Sequence, residues 1–177
     1  MKINTPLDKD SVLELRAGDR VKLSGIIYTA RDAAHARMID TLKEGKELPL
    51  PLKNQVLYYV GPCPAKPGEV IGSAGPTTSY RMDSFTPELL KNGLRGMIGK
   101  GSRSKEVREA IKKYNAVYLA AVGGAAALIA ECIKDVEILA YPDLGTEAVR
   151  KLYVEDLPLF VINDSEGNDL YELEGVI

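Results

Sequence analysis

The chain has 177 residues, 45% hydrophobic and 27% charged, the balance of an ordinary globular protein with enough length for one domain over residues 1–177 and a buried core. Lys plus Arg is 23 and Asp plus Glu is 25; the net charge of −2 argues against a general nucleic-acid binder but leaves room for a local cation cluster around a small acid. No apolar run reaches the ~18–20 residues that cross a bilayer, and Met1–Pro6 lacks the apolar stretch of a signal peptide, so a cytoplasmic protein without a membrane contact is expected.

Residues 1–18 read as a strand-like start and a turn, closed by Ala17-Gly18-Asp19. Arg20–Tyr28 alternates as a strand with Gly25 inside it. The alanine-rich run after Thr29 predicts a helix to about Glu44, with Thr29 as N-cap and Gly45 as its stop. Five prolines punctuate 46–68, and Val56–Val60 between them reads as a buried strand. Gly72–Ser79 is a small-residue loop, in which Pro76 can open a helix. A short helix is expected from Thr86-Pro87, a strand at Arg95–Gly99, and an amphipathic helix at Lys105–Tyr114. Ala116–Val122 reads as a buried strand, Gly123-Gly124 as a turn, and Ala125–Ile133 as a helix. Strands at Val136–Ala140 and Leu157–Asn163 follow, with a short helical piece at Gly145–Val149. Two successive strand–helix–strand units, 95–122 and 116–140, predict parallel pairing and an α/β class.

Cys63, Cys132 and His35 are the only cysteines and histidine. Their spacing matches no zinc or iron–sulfur pattern, so no metal ligand is assigned to this chain. Cys132 reads as a small packed hydrophobe, and Cys63, between Pro62 and Pro64, as structural or neutral.

Three segments share a layout in which a strand ends, small residues turn, and a helix begins beside a cation and hydroxyls: Thr29–Asp32, Gly75–Arg81 and Lys100–Ser104. Helix N-termini attract anions. Arginine grips a carboxylate with two prongs, whereas lysine acts as a compact charge. In an α/β sheet the loops after strand C-termini converge. Residue chemistry leaves two readings open: solvated arginines beside threonine caps, or Arg31, Arg81 and Lys100 meeting around a small dicarboxylate. None of the three is a P-loop, and Gly123–Ala126 lacks dinucleotide-binding spacing.

Ser73-Ala74-Gly75-Pro76-Thr77-Thr78-Ser79-Tyr80-Arg81-Met82-Asp83 closely resembles the GPTT-x-x-RMD signature of the class I, iron–sulfur-dependent fumarate hydratase and L-tartrate dehydratase family, in its β subunit or, where fused, its C-terminal domain. Thr29–His35, Gly96–Gly101, Tyr118–Ala126 and Asp143–Ala148 agree in order, so the resemblance runs from about Leu7 to Asp164. It implies a swivelling β/β/α domain similar to the mobile domain of aconitase. It implies a [4Fe-4S] cluster on a partner α subunit and not on this chain, and a hetero-oligomer in which this chain can also self-associate. The family's substrate-binding cations map onto Arg31, Arg81 and Lys100, and its catalytic threonine onto Thr77, which works with an aspartate of the partner. The length fits a separate β subunit. The implied reaction is reversible hydration of fumarate to L-malate, inactive without the α subunit. An L-tartrate dehydratase β subunit and a non-catalytic carboxylate-binding module are the alternatives.

Behind these residues, Asp32 is expected to orient Arg31, and Asp83 to hold Arg81 or cap the local turn. Ser79, Ser102 and Arg103 are expected to line the loops. His35, four residues after Arg31, is either a group supporting the site or a packed histidine near the subunit contact.

Overall fold

The structure is a computed structural model and describes residues 1–121 and 126–173. The strands are β1 (Lys2–Asn4), β2 (Arg20–Thr29), β3 (Val56–Tyr58), β4 (Gly96–Gly99), β5 (Val117–Ala121), β6 (Ile133–Ala140) and β7 (Val149–Asn163). The helices are α1 (Lys9–Leu13), α2 (Asp32–Lys43), α3 (Thr86–Lys91), α4 (Lys105–Tyr114) and α5 (Ala126–Cys132), with 3-10 turns at Ser79–Met82 and Pro142–Glu147. The predicted Gly123-Gly124-Ala125 turn lies outside the described residues. Among the described residues, no helix is long and apolar enough to cross a membrane.

The molecule is mixed α/β. β1, β3, β4 and β5 run parallel to β2, each pairing with its neighbour in the order β1-β2-β3-β4-β5. The long β7 runs antiparallel to β2 along one edge and to β6 and then β5 along the other. The ring β2-β3-β4-β5-β7 therefore closes on itself. Alternation along the strands separates two cores. Ile27, Val56, Tyr58, Ile98, Leu119 and Val161 belong to one, enclosed by the ring. Leu57, Tyr59, Met97 and Tyr118 point the other way and pack under α2, α3 and α4 with Met38, Leu89 and Ile111. Each such side chain removed from water contributes on the order of 1.5–3 kcal/mol.

The α4 boundaries follow from capping. Ser104 accepts a hydrogen bond from the Val107 amide, and Asn115, at φ 51°, ends the helix in the left-handed region. The helix α1 was not expected; its signal is Asp8, whose carboxylate accepts from the Ser11 amide at 2.8 Å.

Several expectations are corrected. Thr29 is not the cap of α2 but the end of β2; Arg31 occupies the cap position in extended backbone. Pro76 opens no helix: it bridges to Val60, and the helical turn starts only at Ser79. The second strand–helix–strand unit is not parallel, because β6 pairs antiparallel with β7 and the free edge of β5 is taken by β7. The seven-residue α5 runs straight into β6, leaving no connection to carry the chain back for a parallel return. Gly145–Val149 is not a helical piece: the turn is Pro142–Glu147, broken at Gly145, and Val149 already begins β7.

Candidate active site

Arg31, Thr77, Arg81 and Lys100 all follow the C-terminal ends of β2, β3 and β4, the end at which loops of a parallel sheet gather. The Ala30 amide donates to the Tyr58 carbonyl at 3.2 Å, which lashes the start of the Arg31 segment to β3. The Arg31 side chain then lies over Gly61: a Cβ at that glycine would stand 2.5 Å from Nη1. Only a hydrogen at Gly61 leaves room for the guanidinium.

The segment carrying Thr77 is held like a short strand between β3 and β4. The Thr77 amide donates to the Tyr59 carbonyl at 2.7 Å, and the Thr77 carbonyl accepts from the Lys100 amide at 3.3 Å. The Ser79 amide returns to the Lys100 carbonyl at 2.9 Å. Thr77 and Lys100 are thus tied through the backbone, and the next turn, Ser79–Met82, carries Arg81. Arg81 Nε donates to Asp32 Oδ1 at 3.0 Å, with Nη2 3.0 Å from Oδ2. This ion pair, with one hydrogen bond through Nε, ties Arg81 to the first turn of α2, beside Arg31.

Asp32 therefore serves Arg81 and not Arg31, contrary to expectation. The carboxylate beside Arg31 is Glu147, whose Oε1 is 3.4 Å from Nη2. Asp83 likewise does not hold Arg81. Its Oδ1 accepts from Arg103 Nε at 2.7 Å and its Oδ2 from the Ser104 amide at 2.6 Å. Arg103 is not a loop-lining cation but fully buried; its Nη2 donates to Thr86 Oγ1 at 2.8 Å, and its guanidinium lies over the rings of Tyr118 and Tyr59. Burial opposes that charge, but Tyr59 and Asp83 more than offset it and raise the Arg103 pKa. The Asp83–Arg103 pair locks the Arg81 turn to the loop after Lys100. Ser79 is buried, its Oγ 2.9 Å from the Tyr118 hydroxyl, which donates to the Gly101 carbonyl at 2.8 Å. Ser102 is exposed.

His35 is fully buried, with its ring edge-on to Tyr59 at 5.3 Å and tilted on Phe85 at 5.8 Å. Burial holds its pKa down to about 4, so the ring is neutral near pH 7. A neutral ring with Nδ1 2.8 Å from the Arg31 carbonyl donates there, and Nε2 has no partner among the described residues. His35 meets the Arg31 backbone rather than its guanidinium, because Arg31 stands before the helix and not on its face.

A cavity of about 740 Å³ between the 63–73 segment and α5 is lined by Cys63, Val70, Ile71, Ala130 and Lys134. It includes none of the predicted site residues. Cys63 is exposed and Cys132 half-buried on α5. Among the described residues, no three His, Cys, Asp or Glu side chains gather to hold a metal ion. With two cysteines in all, the donor set does not fit a [4Fe-4S] cluster. The roles of Glu147, Arg103, Gly61 and Tyr59 were missed from sequence, because each acts on a residue distant in the chain.

Residues 1–174 match the family model described as fumarase C-terminus. The chain belongs to the fumarase C-terminal family. It is 42% identical over 173 residues to fumarate hydratase 2 of Leishmania major, covering 96% of this chain and 30% of that protein. It is 42% identical over 155 residues to the aerobic class I fumarate hydratase of Escherichia coli K12, covering 86% and 28%. It is 43% identical over 172 residues to a Methanocaldococcus jannaschii protein provisionally named L(+)-tartrate dehydratase subunit beta, covering 94% and 88%. The fumarase C-terminal chain thus spans under a third of the two fumarate hydratases and most of the tartrate dehydratase subunit.

Proposed function

We propose that this chain is the β-type, carboxylate-binding component of an iron–sulfur-dependent hydro-lyase that interconverts fumarate and L-malate in the cytoplasm. The observation that carries the reading is the convergence of Arg31, Thr77, Arg81 and Lys100 beyond the ends of three adjacent parallel strands. Two arginines suit the two carboxylates of a C4 diacid, and Lys100, exposed at the loop start, adds a third cation.

In the dehydration direction, a proton leaves the carbon beside one carboxylate, hydroxide leaves the neighbouring carbon, and the double bond forms. Negative charge builds on the carboxylate as the proton departs. Fixed cations placed there are worth far more than the same cations in water. Thr77 is the proposed proton acceptor. Its hydroxyl has no useful ionisation near neutrality, so the reading requires the cation cluster and an aspartate of the α-type partner to activate it.

Because the residues here do not suit the [4Fe-4S] cluster, the reading assigns it to that partner, and this chain alone is inactive. We read the closed sheet with helices packed outside it as a swivelling β/β/α domain similar to the mobile domain of aconitase, able to close the site against the partner in a hetero-oligomer that can itself self-associate. A second reading, an L-tartrate dehydratase β subunit, is favoured by the match to 88% of the Methanocaldococcus protein. It is the same chemistry with one more substrate hydroxyl. Steady-state assays of the assembled enzyme with fumarate, L-malate and L-tartrate separate the two. A kcat/KM for fumarate at least ~100-fold above that for L-tartrate supports the first reading, and the reverse order supports the second.

A further inference from the structure

We propose that Glu147 is a positioning residue for Arg31, delivered by a polar strap between β6 and β7 whose role is to set the geometry of the dicarboxylate site. The inference rests on the reading of Arg31 as a substrate-binding cation.

Arg31 stands at the N-cap of α2, the positive end of the helix. A guanidinium is disfavoured there, and a carboxylate is favoured. Glu147 resolves the conflict with one group. Its Oε2 accepts from the free Ala33 amide at 3.0 Å, and its Oε1 stands 3.4 Å from Arg31 Nη2. Both side chains are only 21% exposed, so the pair is screened less than a surface pair. On its other side Arg31 is confined by Gly61. Removing Glu147 therefore leaves a cation against a helix N-terminus with no carboxylate paired to it among the described residues.

The strap itself is built to bring Glu147 to this place. Its turn, Pro142–Glu147, contributes no fully buried residue, and only half-buried Leu144 packs against the outer core. Polar contacts fasten the rest. Arg37 grips Asp143 through both oxygens. Thr29 Oγ1, at the end of β2, donates to the Ala148 carbonyl at 3.3 Å and accepts from the Arg150 amide at 3.0 Å. The Arg150 guanidinium donates to the carbonyls of Gly145, Thr146 and Ala148, which curls the strap around its own base. Gly145, at φ 59° and ψ −114°, permits the break that turns Glu147 inward. The strap is fastened at both ends to β2 and α2, the elements that carry Arg31.

The two site arginines thus have separate carboxylates, Glu147 for Arg31 and Asp32 for Arg81.

The test uses E147Q, R31A, the double variant R31A/E147Q and D143N. E147Q keeps an oxygen for the Ala33 amide and loses the charge facing Arg31. D143N loosens the strap without touching Arg31. In the enzyme assembled with its partner, E147Q is expected to raise KM for the dicarboxylate about tenfold with little change in kcat, and E147D to recover part of the loss. D143N is expected to raise KM by a smaller factor than E147Q, about two- to threefold, because the ties through Thr29 and Arg150 remain. In the R31A background, E147Q is expected to add nothing, because its effect passes through Arg31. In the chain alone, the Arg31 Nε–H resonance of arginine-labelled protein is expected to shift in E147Q and to shift less, in the same direction, in D143N. If R31A raises KM while E147Q leaves it within about twofold, or if the two effects add, the inference is overturned and the substrate reading stands. If R31A leaves KM unchanged, the substrate reading falls and takes this inference with it. An Arg31 resonance indifferent to E147Q overturns the contact directly.

Discussion

Replacing His35 with phenylalanine should change how stability depends on pH. The ring is fully buried, and burial holds its pKa near 4, below the ordinary 6.5; Arg103 adds to the lowering, while the Arg31 carbonyl and Asp32 oppose it. Unfolded, the ring takes a proton below 6.5; folded, only below about 4. Between these values the unfolded state binds more protons, so stability rises with pH. The stability that comes from burying a neutral ring is fully present above pH 6.5 and is lost as the pH falls toward 4. At about 1.4 kcal/mol per pH unit the loss is about 3 kcal/mol, a large part of the ~5–15 kcal/mol that holds a domain folded. Other groups titrate in the same range, so the quantity to measure is the difference between wild type and H35F. Urea unfolding followed by far-ultraviolet circular dichroism, from pH 7.5 to pH 4, gives that difference. It should shrink or reverse by about 3 kcal/mol across the range, with wild type losing stability faster. Parallel curves for the two proteins would refute the argument, because His35 would then titrate alike folded and unfolded.

Three other outcomes are expected. R103M strands the buried Asp83 carboxylate and should cost about 3–5 kcal/mol in urea unfolding, with D83N/R103M recovering part of it. T77A and R81A should each lower turnover of the assembled enzyme at least ~100-fold, the size of losing one proton-transfer or charge-stabilising group, with melting temperatures close to wild type. G61A places a methyl 2.5 Å from Arg31 Nη1. Because a flexible side-chain end can move aside, G61A should raise KM for the dicarboxylate about tenfold while scarcely changing the melting temperature.

The sequence reads well where local rules govern. The bounds of α4 follow from its apolar face and Ser104 cap, and β4 and β5 from short apolar runs. Arg31, Arg81 and Lys100 could be named because each stands beside a small-residue turn after a strand, whereas Thr77 could be named as a site residue only through the family resemblance. Their carboxylates could not be assigned. Asp32 is adjacent to Arg31 in the chain yet reaches across to Arg81, and Glu147 comes to Arg31 from 116 residues away. Local spacing favours near neighbours, whereas the partner is chosen by where the sheet closes. The closure itself was hidden in β7, whose first half carries Glu155 and Asp156, with Asp156 at φ 50°, and so lacks the plain alternation of a half-buried strand. Once β7 takes the free edge of β5, the β6 placement follows, and with it the strap and Glu147.

The central claim is that this chain supplies the carboxylate-binding half of a cluster-dependent hydro-lyase. Anaerobic purification of the tagged chain from its own cells, followed by iron analysis and hydro-lyase assays on the eluate, tests it most directly. The account predicts a co-purifying cysteine-bearing polypeptide, iron in the eluate, and hydration of fumarate that is lost in R81A. An eluate that holds such a polypeptide and iron but hydrates neither fumarate nor dehydrates L-tartrate would contradict it, as would full activity in R81A.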